Sequence, residues 1–142
     1  MIKSYRGLIA DGGQDTIPLH TPDGKTGYKI VKFEIMPENA GTTNYEHTVQ
    51  IFKIKQDTVV ANVNFSDGTL IAAAYTEGNA SANYIGQPLI TIFDFEIFNQ
   101  DIYVTHVDSS GTDVNYYIEL EQIKLSEQEA LVSIVKNLRN EQ

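Results

Sequence analysis

From Ile2 to Lys124 the chain repeats one pattern: short runs of β-branched and aromatic residues, each cut off by a turn signal. Asp11-Gly12-Gly13, Pro22-Asp23-Gly24 and Ser66-Asp67-Gly68 are the clearest breaks. In the second, proline presets φ at the first corner, aspartate bonds the local backbone, and glycine accepts a left-handed exit. Runs this short cannot form long helices, and they need one another to bury their apolar faces. The pattern predicts an all-β chain, an antiparallel β-sandwich of jelly-roll-like character with about nine strands.

The strands are expected over residues 2–10, 16–21, 26–36, 45–55, 59–65, 69–75, 89–98, 101–108 and 113–124. In the third, Lys29, Val31, Phe33 and Ile35 share one mostly apolar face. The fifth shows the cleanest half-buried pattern, with Val59, Ala61, Val63 and Phe65 alternating against Val60, Asn62 and Asn64. The last two read as a hairpin across Ser109-Ser110-Gly111-Thr112. Its second strand turns Tyr116, Ile118 and Leu120 one way and Tyr117, Glu119 and Glu121 the other, which fixes its register. Residues 76–87 form the longest irregular stretch, suited to a contact-making tip. Tyr75 and Tyr84 bracket it and are the candidate contact pair.

One helix follows, expected from Ser126 to Asn140. Ser126 with Glu129 three residues on makes a capping box. Glu127 and Glu129 suit the positive end of the helix dipole, and Lys136 and Arg139 the negative end. Leu131, Ile134, Val135 and Leu138 make one apolar stripe. A helix this short is marginal alone in water, so the stripe needs a surface. That surface is either its own sandwich or a neighbouring subunit. The organisation is thus one sandwich over residues 1–125 with a helix and tail over 126–142.

The 142 residues fit a single domain with a core of its own. There is no cysteine, which removes disulfides, thiolate metal sites and cysteine nucleophiles. The formal net charge of -9 should repel nucleic acid and anionic membranes. No apolar run approaches the ~20 residues that span a bilayer. No apolar run of signal-peptide length follows Lys3 and Arg6, so synthesis in the cytoplasm is expected.

No catalytic pattern stands out. His20, His47 and His106 form no ligand-spaced pair. His106 and Asp108, two apart, share a strand face and read as a hydrogen-bonded histidine near a loop. The carboxylates of Asp108-Ser109-Ser110-Gly111-Thr112-Asp113 are too few and too loosely spaced for a calcium loop. Asp11-Gly12-Gly13 lacks the downstream helix of a phosphate loop, and no Gly-x-Ser-x-Gly elbow is present. Asp94 with Glu96, and Glu119 with Glu121, read as solvated strand faces. Asn64-Phe65-Ser66 and Asn79-Ala80-Ser81 match the short glycosylation pattern. The expectation is a non-enzyme without cofactor or metal.

Phe98-Asn99-Gln100-Asp101-Ile102-Tyr103-Val104-Thr105-His106 and Val114-Asn115-Tyr116-Tyr117-Ile118-Glu119-Leu120-Glu121 resemble segments of small virion proteins of marine tailed phages that infect cyanobacteria. The opening, residues 1–13, the strand Thr26-Gly27-Tyr28-Lys29-Ile30-Val31-Lys32-Phe33 and the end of the helix share the resemblance. It implies a virion structural protein, first a capsid decoration or cement protein that binds the major capsid protein or another virion protein. A tail or fibre-base component and a carbohydrate-binding host-attachment module are the alternatives. It also implies a homo-oligomer, with a trimer as one arrangement. No site residues follow from it.

Overall fold

The computed structural model describes residues 1–39, 44–78 and 89–140. Among the described residues, eight strands precede one helix: β1 (Ile2–Ile9), β2 (Gln14–Ile17), β3 (Thr26–Pro37), β4 (Tyr45–Phe52), β5 (Leu70–Gly78), β6 (Leu89–Phe93), β7 (Ile102–Asp108), β8 (Val114–Lys124) and α1 (Glu127–Asn140). All pairings are antiparallel. One sheet has the order β1-β8-β3 and the other β2-β7-β4-β5-β6. Beyond β6 the chain crosses between the sheets. Phe98 then forms a bridge to Tyr28 in β3, with N–H···O bonds of 2.8 and 2.9 Å. With residue 98 in the fourth place beside β3, the two sheets carry the interlocked order of a jelly roll.

The core lies between the sheets. Ile30, Phe33, Ile118 and Leu120 face Val49, Ile51, Ile102 and Val104 across it, all essentially inaccessible. Alternation in β8 is as expected: Tyr116, Ile118 and Leu120 are buried, while Tyr117, Glu119 and Glu121 face outward. The capping box of α1 is present too. Glu129 N–H donates to Ser126 Oγ and Ser126 N–H to Glu129 Oε1, each at 3.2 Å.

Four expectations are corrected. First, residues 59–65 form no strand, and Val60, Val63 and Phe65 are exposed. Asn64 and Asp67 bond backbone N–H groups two residues on, which favours turns over a ladder. Gln50 Nε2 donates to the carbonyls of Val60 (3.1 Å) and Asn62 (3.2 Å), tying this segment across β4. Second, the inward face of β3 is not Lys29, Val31, Phe33 and Ile35. A register shift between Ile30 and Lys32 changes the parity, so Tyr28 and Ile30 point inward before it and Phe33 and Ile35 after it. Third, β7 and β8 are not a hairpin. β7 lies between β2 and β4, and β8 between β1 and β3, so the turn between them passes from one sheet to the other. Asp108 holds that turn. Its carboxylate accepts from Thr112 N–H and Oγ, both at 2.6 Å, and from Glu46 N–H at 2.7 Å. Fourth, residues 89–98 are not one strand: β6 ends at Phe93, Asp94 N–H to Ile71 O is the last tie to β5, and Phe98 already pairs with Tyr28 in the other sheet.

Candidate assembly surface

Helix α1 is held to the sandwich along a narrow line. Leu125 and Ala130 are buried and Ile134 is half-buried. Asn99, 1% exposed, is the polar latch. Its Nδ2 donates to Gly24 O at 2.9 Å and to Ala130 O at 3.2 Å, joining the β2–β3 turn to the helix. Gly24 has φ 65°. A methyl there would meet Ile134 Cδ1 at 3.2 Å and Asn99 Nδ2 at 3.3 Å, so glycine sets both the turn and the approach of the helix. Lys25 and Glu127 pair at 3.2 Å on the rim, an exposed contact of small energetic weight.

Of the stripe residues, Ile134 is half-buried and reaches the Gly24 turn. Leu131, Val135 and Leu138 are exposed, Leu131 by 62%. They lie roughly a quarter turn from the docked line, given about 100° per residue. The helix therefore docks on a small residue, Ala130, instead of on the centre of its apolar stripe. Three of the four stripe residues are thus left exposed.

The opposite flank of the helix borders a cleft of about 550 Å³, lined by Phe95, Ile97, Val132, Ser133 and Lys136 among others. Phe95 is 78% exposed. Its ring meets Phe93 edge-on at 6.1 Å, which makes the cleft continuous with β6. The segment is fixed in place by Lys53, 5% exposed, whose Nζ pairs with Glu96 at 2.8 Å. Glu96 is thus half of a tether, and Asp94 and Glu96 are not two carboxylates on one strand face.

A second cleft, about 650 Å³, lies on the outer face of the three-stranded sheet between Arg6, Leu8, Glu34, Met36, Asn115 and Tyr117. Lys32 Nζ sits 5.7 Å from the centre of the Tyr117 ring.

Of the candidate contact pair Tyr75 and Tyr84, the described residues include Tyr75. Tyr75 lies within β5, which runs on to Gly78, and not at a loop tip. Its hydroxyl donates to Glu77 at 2.9 Å, and burial together with that carboxylate pushes its pKa up to about 12. Tyr84 and Asn79-Ala80-Ser81 lie outside the described residues.

The histidines hold a feature that spacing did not reveal. His47 and His106 are both fully buried, at the end of the sandwich beside the β1–β2 turn. His106 Nδ1 is 3.0 Å from Ile9 O, which can only accept, so Nδ1 carries the proton and Nε2 accepts. His47 Nδ1, 2.8 Å from that Nε2, must then donate. His47 Nε2 is left buried with no partner among the described residues. Burial pushes the His47 pKa below its ordinary value, against the opposing pull of Asp108, 3.8 Å away. Burial works against ionisation of Asp108 too, but its hydrogen bonds from Thr112 and Glu46 outweigh this and hold its carboxyl below the usual range. The Tyr45 ring stacks on His47 at 5.1 Å, and the two histidines close one end of the core. The expected alternation did place His106 and Asp108 on one face. Their meeting with His47 depends on the β4–β7 pairing, which joins residues far apart in sequence.

No described helix is long and apolar enough to cross a membrane. No family model matches the chain, and no curated protein matches it. Among solved structures it is similar to the crystal structure of a Yersinia pseudotuberculosis-derived mitogen, with 13% identity over 89% of this chain and 86% of that one and a TM-score of 0.30. At that score nothing about function is carried across.

Proposed function

We propose that this chain is a non-enzymatic structural component of a tailed-phage particle, and within it a decoration or cement protein that binds neighbouring capsid subunits. The observation that carries the reading is the helix stripe. Leu131, Val135 and Leu138 stand in water on a helix that is itself latched to the sandwich. Burying each such side chain contributes about 1.5–3 kcal/mol, so a fitted partner surface would gain several kcal/mol here. The resemblance to small virion proteins supplies the setting, and a capsid or other virion protein is the partner. A tail or fibre-base position is the alternative within the same class.

The double variant Leu131→Asp/Leu138→Asp tests this. Both side chains are exposed, so β-type circular dichroism and thermal stability should be unchanged. Binding to particles lacking the protein should fall at least tenfold. Unchanged binding would remove the stripe from the contact. A variant that fails to fold would show that the stripe belongs to the core.

A further inference from the structure

The buried histidines hold the β1–β2 turn in place. Gly12 N–H donates to His106 O at 2.8 Å, and His106 N–H donates to Gly13 O at 3.1 Å. The His106 ring adds its Nδ1–H to Ile9 O at 3.0 Å. Beside these, Asp108 N–H donates to Asp11 Oδ1 at 2.8 Å. Asp11 and Gly12 are themselves exposed, so the turn is held by what lies beneath it. The two rings form a chain with one direction: His47 Nδ1–H to His106 Nε2 at 2.8 Å, then His106 Nδ1–H to Ile9 O. The one lone pair left on either ring is at His47 Nε2. It is buried, with no partner among the described residues. A proton added there would create a buried cation and an N–H with no acceptor, which is costly. The closed pair has no place for it.

We infer that the pair is an acid-released clasp: closed, it pins the β1–β2 turn to β7, and as pH falls the turn lifts, the rings part, and His47 takes a proton from the water that reaches it. The charged groups around the pair are acids. Asp108 of β7 lies 3.8 Å from His47 Nδ1, Asp11 of the turn is tied to the Asp108 backbone, and Asp113 beyond the β7–β8 turn also acts on His47. In β4, Glu46 is exposed beside His47, and the Tyr45 ring stacks on it. Glu77 in β5 faces Glu46 and takes the Tyr75 hydroxyl, and Asp15 in β2 takes the Tyr116 hydroxyl. Once hydrated, His47 keeps these carboxylates near it and titrates no lower than an ordinary histidine, about 6.5. In the closed form burial outweighs them and pushes its pKa below the ordinary value. The open form therefore binds the extra proton. Opening is favoured as pH falls below about 6.5, and the clasp is fully engaged above it. This holds whether or not the helix stripe meets a capsid.

The experiment is native-state hydrogen exchange by NMR on the full chain at low urea, with intrinsic rates corrected for pH. The amides of Gly12, His106 and Asp108 are bonded across the clasp. They should exchange through an opening that urea barely affects, which marks it as local. One proton taken up on opening raises that equilibrium by up to about tenfold from pH 7.5 to 5.5. In His47→Gln, whose side chain does not titrate, the acid response should vanish while the opening stays local. Because that variant could fail to fold, the wild type supplies a second measurement. Nitrogen-15 shifts of its imidazoles at pH 7.5 should place the proton on Nδ1 in both rings. A change of less than about twofold with pH, well under the one-proton value, overturns the inference. So does exchange of these amides only by the urea-sensitive route shared with β8. An acid response retained in His47→Gln, or a proton on His47 Nε2 at pH 7.5, overturns it as well.

Discussion

Replacing Asn99 with alanine should release the helix while leaving the sandwich folded. The side chain is buried, and its Nδ2 serves two backbone carbonyls at once, Gly24 O at 2.9 Å and Ala130 O at 3.2 Å. A buried acceptor left without its donor costs about 1–3 kcal/mol. Ala130 O retains its place in the helical ladder, so its loss is nearer ~1 kcal/mol, the net value of one hydrogen bond. Together they give about 2–4 kcal/mol, or roughly a 30- to 1000-fold change in a local opening equilibrium. Apart from this latch, α1 is held mainly by Leu125, Ala130 and Ile134. Hydrogen exchange read by mass spectrometry should therefore show the α1 amides losing protection by that factor, with β7 and β8 unchanged. Asn99→Asp should act more strongly, because it sets a carboxylate against two carbonyl oxygens. Protection of α1 within about threefold of wild type in Asn99→Ala would refute the latch, since even one net hydrogen bond is worth ~1 kcal/mol.

Two further outcomes follow from the same geometry. Acidification should destabilise the fold in two stages. His47 has a lowered pKa in the folded state, so its contribution is complete above an unfolded-state value of about 6.5 and declines as pH falls below it. Asp108, also lowered, adds a second loss below about pH 4, where the unfolded carboxyl takes up its proton. Urea unfolding at pH 7.5, 5.5 and 3.5 should give a falling midpoint at constant slope, and a midpoint that rises from 7.5 to 5.5 would contradict the lowered His47 pKa. Gly24→Ala should cost about 1–2 kcal/mol from its left-handed backbone alone and should raise hydrogen exchange in α1. A stability equal to wild type by thermal melting would show that the turn relaxes freely.

Much of the fold was legible because it rests on local periodicity. The alternation of Tyr116 through Glu121 sets β8, and Ser126 with Glu129 sets the start of α1, each within a few residues. What escaped depends on pairing at a distance. A strand pattern cannot announce a bulge, so the parity change between Ile30 and Lys32 turned the expected face of β3 over. The alternation of residues 59–65 was real, but Asn62 and Asn64 lie in a segment whose carbonyls serve Gln50 instead of a neighbouring strand. A glycine turn between β7 and β8 looks the same whether it joins two strands of one sheet or carries the chain from one sheet to the other. The helix stripe is legible as a sequence pattern, yet docking followed Ala130, Gly24 and Asn99, whose small size or buried amide no hydrophobic stripe reveals. The His47–His106 contact needed the β4–β7 register before either residue could be placed beside the other.

Imaging of purified phage particles at a resolution that shows secondary structure tests the proposed function most directly. The prediction is density for this jelly-roll sandwich on the head surface at junctions between capsid subunits, with the Leu131, Val135 and Leu138 side of α1 seated against a neighbour. Particles that lack the chain altogether, or that carry it with this side of the helix facing solvent, would contradict the account.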